Sequence, residues 1–256
     1  MLDTAAVDYV ALLTPIQHSR WIGFPAGTRK AIDILSNQLE AVQIRPLMLA
    51  VTRFFSATDA QKAFQMFVSW SVRFLIVGGG GGGKLDRYYG TRAREVTKGK
   101  IKSAKALAES MADVVPGNTQ FQEEFARANV RTTALARYYL RAMELHEKEP
   151  LPQLLINEDP DAVNLEHVMP VNPSNGWGMD AETAATYHKR LGNMVLLGAK
   201  QNVTLGNGPF ETKRKALQQS PFTTTQAVGK HSKWGAEQIK GRQLKMAEIA
   251  PIVWPL

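Results

Sequence analysis

Three short stretches of this 256-residue chain carry side chains that could act on a phosphodiester. They are Asn164-Leu165-Glu166-His167-Val168-Met169-Pro170, Gly192-Asn193-Met194-Val195-Leu196-Leu197 and Gln201-Asn202-Val203-Thr204-Leu205. Hydrolysing such a bond requires a deprotonated water, neutralisation of the nonbridging oxygens and stabilisation of the departing 3′ oxygen. A hard cation such as Mg2+ or Mn2+ accepts few protein oxygens and keeps its other positions for water and phosphate. Glu166 and Asn202 suit that sparse ligation as metal ligands. His167, with an ordinary pKa near ~6.5, can take a proton from water once a carbonyl or amide fixes its tautomer. Asn193 completes the expected site by tying backbone segments together through its amide.

These groups converge only if the right elements carry them. A strand ending in Glu166-His167, a second strand opened by Asn193, and a helix or turn beginning near Asn202 would bring carboxylate, imidazole and amide to one point. Neighbouring strand residues face opposite sides, so the strand must bend or bulge before Pro170 for Glu166 and His167 to share a site. Apolar residues recur three and four apart over Ala31–Val42, Ala60–Val77 and Thr132–Leu145, which predicts an all-α first half. The Ala- and Lys/Arg-rich stretch Tyr88–Met111 continues it until Val115-Pro116-Gly117-Asn118, and another helix starts near Thr119. At Glu149-Pro150-Leu151-Pro152 the pattern changes to short apolar runs, Leu154–Ile156, Val163–Val168 and Met194–Leu197. Helical spacing returns over Ala181–Arg190, Pro209–Gln219 and Trp234–Ile249. The expectation is a mainly α chain: a helical domain or linker over 1–149, then an α+β domain over 150–256 with flanking helices.

Composition narrows the partners. The chain has 31 basic and 23 acidic residues, a net charge of +8, which favours a polyanion such as double-stranded DNA. Lys200, Lys213, Arg214 and Lys215 are the expected DNA-contacting residues of the last quarter. A second basic stretch runs from Arg87 to Lys105 and reads equally as a solvated helix face. The chain has no cysteine, which excludes disulfides, zinc–thiolate sites and thiol chemistry. No run of about 18 apolar residues exists and no secretory leader is evident, so a cytoplasmic protein without membrane spans is expected.

Other features carry less chemistry. Gly78–Gly83 followed by Lys84 matches the opening of a phosphate-binding P-loop, but Leu85 stands where Ser or Thr should reach magnesium. It reads as a flexible connection between helices. His188, beside Lys189 and Arg190, is expected in a solvated last turn of a helix. Trp177, Trp234 and Trp254 are expected to anchor cores.

Taken together, residues 164–215 resemble the HNH (ββα-metal) nucleases, and more closely the GmrD-like HNH domains of modification-dependent restriction and phage-defence proteins. The shared string is Glu166-His167-Val168-Met169-Pro170, then Gly192-Asn193-Met194, then Asn202, then Asn207-Gly208-Pro209-Phe210-Glu211-Thr212-Lys213. By that resemblance Glu166 and Asn202 hold the metal and His167 is the general base. Glu stands where Asp is commoner, and Asn where the motif's final His would be. The resemblance implies a metal-dependent DNA endonuclease or nickase, the effector part of a restriction or phage-defence protein similar to GmrSD or SspE. It also implies an upstream nucleotide-hydrolysing sensor, whose Asp-Gly-Gln-Gln-Arg signature is absent here. The alternative is an inert DNA-binding or scaffold module with the same fold.

Overall fold

Ser56 opens the longest helix of the first half by accepting a hydrogen bond from the Asp59 amide at 3.1 Å, the usual way of satisfying a helix's free N–H groups. A computed structural model of the chain describes all residues except 1, 79–80, 82, 131, 148–161, 174–176, 178–179 and 199–207. Contacts divide it into two compact units, Met1–Phe121 with Trp254–Leu256, and Gln122–Val253.

The first unit consists of helices α1 (Leu2–Leu13), α2 (Thr28–Asp33), α3 (Arg45–Phe54), α4 (Ala57–Val77), α5 (Lys84–Thr97) and α6 (Ala104–Met111). The α4 residues Ala60, Ala63, Phe64, Phe67 and Trp70 recur at helical spacing and are all buried. They pack with Trp21, Leu35 and Met48 in one core. The expected helix over Ala31–Val42 is shorter: α2 runs into a π-helical turn, Ile34–Gln38, and Glu40 beyond it adopts φ 49°. The stretch Tyr88–Met111 is two helices, because Gly99 adopts φ 70° after α5 and Ser103 caps α6. Arg73 is fully buried with no carboxylate in ion-pair distance among the described residues; it donates to the Trp254 carbonyl (2.7 and 3.0 Å), the Pro116 carbonyl (2.8 Å) and Asn118 Oδ1 (2.7 Å).

Helix α7 (Asn118–Phe125) lies at the division. The second unit then contains α8 (Thr133–His146), β1 (Val163–His167), α9 (Ala181–His188), β2 (Met194–Gly198), α10 (Phe210–Gln218), α11 (Thr223–Gly229) and α12 (Ala236–Val253). The strands pair antiparallel, with Glu166 opposite Val195 and His167 opposite Met194. Helix α8 packs on both strands, so it belongs with them although its sequence continues the helical half. Between α9 and β2 the turn Leu191–Asn193 lies against α12; a Cβ on Gly192 would come within 2.3 Å of the Ile239 carbonyl oxygen, so only glycine admits this approach. The fold is mainly α with a small α+β second part. Among the described residues no helix is long and apolar enough to cross a membrane. The expected strand Leu154–Ile156 lies outside the described residues.

Candidate active site

The end of β1 is fixed by one amide. Asn193, fully buried, accepts from the Met169 backbone N–H at 2.9 Å and from Trp234 Nε1 at 3.2 Å through Oδ1. Its Nδ2 donates to the carbonyls of Met169 (2.9 Å) and His188 (3.3 Å). Every hydrogen-bonding position of the side chain is therefore in use, and Asn193 is a positioning residue. Two segments are joined this way: the chain just past His167, and the last turn of α9.

That junction brings His188 onto His167. The two imidazoles stack, with centroids 4.1 Å apart and planes at 15°. The sequence places His188 in a solvated turn, but in the structure it is half-buried on the face of α9 that carries the buried Ala184 one turn earlier. Its charged neighbours Lys189 and Arg190 conceal this, whereas the four-residue step from Ala184 is the signal that could have found it.

Glu166 meets Lys213 of α10. The Lys213 ammonium donates to Glu166 Oε1 at 2.5 Å and to the His167 carbonyl at 3.2 Å, with side-chain exposures of 1% for the lysine and 15% for the glutamate. This corrects the expectation that Lys213 lies on a DNA-facing surface. It shares the inward face of α10 with buried Phe210 and Leu217, at steps of three and four, and so points into the unit. Arg214 is half-buried and donates to the Gly229 carbonyl at 3.3 Å, while Lys215 is exposed. Asn202 and Lys200 lie outside the described residues.

Burial sets the protonation of the pair. It pushes the Glu166 carboxyl above its usual range, and Lys213 pulls it back only in part. His167 is pushed down to about 4, by burial first and then by His188 and the Lys213 charge. His188 is also lowered, chiefly by burial, against a hydrogen bond to the Met169 backbone. At neutral pH, His167 is thus an uncharged imidazole with a lone pair available for a proton.

A stability test follows for the metal-free protein. Between the ordinary histidine value near ~6.5 and about 4, the unfolded chain binds a proton at His167 that the folded chain does not. Stability therefore falls with pH across that window, whereas Glu166, shifted upward, acts in the opposite direction near the carboxylate range. Urea midpoints in EDTA at pH 7, 6 and 5 are expected to fall more steeply for wild type than for His167→Gln. Parallel slopes would show that the imidazole is not desolvated.

The donor set bears on metal binding. Among the described residues no three His, Asp, Glu or Cys side chains cluster closely enough to form a closed metal site. One carboxylate oxygen donor, Glu166, fits a hard cation that retains most of its water.

The architecture is that of a helical protein whose small antiparallel hairpin carries a carboxylate and a neutral imidazole at one strand end, supported by a helix that supplies a buried ammonium. Residues 115–249 match the family described as GmrSD restriction endonucleases, C-terminal domain, which is more than half of the chain. The chain belongs to that family. It is a restriction-endonuclease-type nuclease domain, and DNA is the substrate that membership implies. No curated protein gives a significant match.

Proposed function

We propose that the second unit is a metal-dependent DNA endonuclease of the HNH (ββα-metal) type, with His167 as general base and Glu166 and Asn202 as ligands for Mg2+ or Mn2+. The observation that carries this reading is the geometry at the end of β1, where the His167 imidazole, stacked on His188, stands next in the chain to the hard carboxylate of Glu166 held by Lys213. His167 accepts a proton as the water oxygen bonds to phosphorus, the bond to the 3′ oxygen breaks, and that oxygen takes a proton from solvent water, leaving a 5′ phosphate and a 3′ hydroxyl. Stacking on His188 and the Asn193 bonds orient the imidazole. Lys213 holds the Glu166 carboxylate in place. When bound, the ion neutralises the nonbridging oxygens and stabilises the leaving oxygen. One such constellation acts on one strand per encounter, so nicking is the expected outcome. The domain would serve as the effector part of a cytoplasmic restriction or phage-defence protein, directed by an upstream nucleotide-hydrolysing sensor.

A second reading is an inert DNA-binding or scaffold module. One observation favours it: the Lys213 ammonium already lies on the carboxylate that would bind the metal. Plasmid relaxation separates the two. Supercoiled DNA is expected to become open circles with Mg2+ or Mn2+ and to remain supercoiled in EDTA or with Glu166→Gln. Absence of relaxation by the wild type under any divalent ion would leave only the inert reading.

A further inference from the structure

Of the chain's net +8, the second unit accounts for little, since its 16 basic residues face 14 acidic ones. The first unit carries +6, and all of it falls within residues 84–105, where eight basic residues stand against two acidic ones. We infer that this band is a binding surface for the phosphate backbone of duplex DNA and supplies most of the chain's DNA affinity. It lies outside residues 115–249 matched by the nuclease family. The choice of DNA rests on the proposed nuclease function.

The geometry is a one-sided helix. Leu85, Tyr89, Ala93 and Val96 bury one face of α5 against the core of the first unit. Arg87, Arg94 and Lys98, with Thr91 between, fall on the opposite face at steps of three and four, and all three basic residues are exposed. From Arg87 to Lys98 this stripe is about 16 Å long, the axial length of about five base pairs. Exposed Lys100, Lys102 and Lys105 extend it through the Gly99 turn into α6. Among the described residues Arg92 is the one member of the band in an ion pair, with Glu95 at 2.6 Å. Among the described residues none of the six exposed cations just named has a carboxylate within ion-pair distance. By contrast, Lys213 and Arg214 of the second unit are committed to Glu166 and to the Gly229 carbonyl.

Exposed, unpaired cations at phosphate spacing bind by releasing counterions, so the signature is the slope of log affinity against log salt. The experiment uses the full chain with His167→Ala, a 20-base-pair duplex and a KCl series in EDTA, so that no cleavage is required. Replacing Arg87, Arg94, Lys98, Lys100, Lys102 and Lys105 with Gln is expected to reduce the slope by about five, at ~0.9 per phosphate contact, and affinity by at least about a hundredfold. The triple variant Lys98→Gln, Lys100→Gln, Lys102→Gln is expected to lose about half of that slope. As a control, Lys215→Gln, Lys230→Gln, Lys233→Gln in the second unit should change it less. An unchanged slope in both band variants would overturn the inference, as would loss of binding to anionic vesicles with duplex binding intact. Failure of the wild type to nick DNA leaves this result unaffected and counts only against the nuclease reading.

Discussion

His167→Ala is expected to lower the rate of plasmid nicking by about a thousandfold, within the ~10²–10⁴ range for removing a general base, while leaving DNA affinity in EDTA within about twofold of wild type. The two parts of this expectation have one cause. Burial, His188 and Lys213 keep the imidazole uncharged, down to about 4, so it holds no phosphate by charge but is ready to accept a proton. A histidine that served as a cationic phosphate ligand would lose affinity and rate together. Single-turnover nicking with saturating enzyme, set beside equilibrium binding to the same plasmid fragment, separates these cases. Equal nicking by the variant and wild type would remove His167 from the chemistry.

The strand pair and most helices were legible in the sequence because their signals are local. Val163–Val168, with apolar residues at 163, 165 and 168, and the apolar run Met194–Leu197 form β1 and β2. The apolar steps of Ala60–Val77 become α4, with Gly78 ending it at φ 76°. What sequence periodicity missed depends on distant contacts. Nothing local marks Glu40 for its positive φ, two residues past the end of the π-helical turn. Prolines at 150 and 152 suggest a boundary at 149/150, and those residues lie outside the described ones. The contact-based units divide instead at 121/122, because α8 buries Ala136, Tyr139, Leu140 and Met143 in the unit that contains the hairpin. Amphipathic spacing gives a helix its apolar face but does not name the partner that covers it.

The site was legible where chemistry constrains residue type, as with the carboxylate and imidazole of Glu166-His167 and the bonding capacity of the Asn193 amide. It was not legible where a residue departs from its usual exposure. Lysine is seldom fully buried, so Lys213 reads as a DNA contact in the sequence although Phe210 and Leu217 mark the same helix face as inward. His188 is the same case in milder form, with two flanking cations suggesting solvent while its own ring is covered by His167.

Lys213 carries the largest expected effect on stability. Its ammonium is 1% exposed and the Glu166 carboxylate 15%, so the pair has little water to fall back on when one partner is removed. Lys213→Met should leave a buried carboxylate without its cation, at a cost of about 3–5 kcal/mol, or a Tm lower by roughly 10 °C. The cost is limited because Glu166, already shifted upward by burial, can take up a proton. Glu166→Gln alone should be milder, since the amide oxygen can still accept from Lys213. Glu166→Gln with Lys213→Met removes both charges and should recover most of the lost stability, giving a coupling energy well above that of a surface ion pair. Thermal melts of the four proteins at pH 7.5 in EDTA measure that coupling. Additive losses would mean that the ammonium and carboxylate do not depend on each other, and that Lys213 does not hold Glu166 in place.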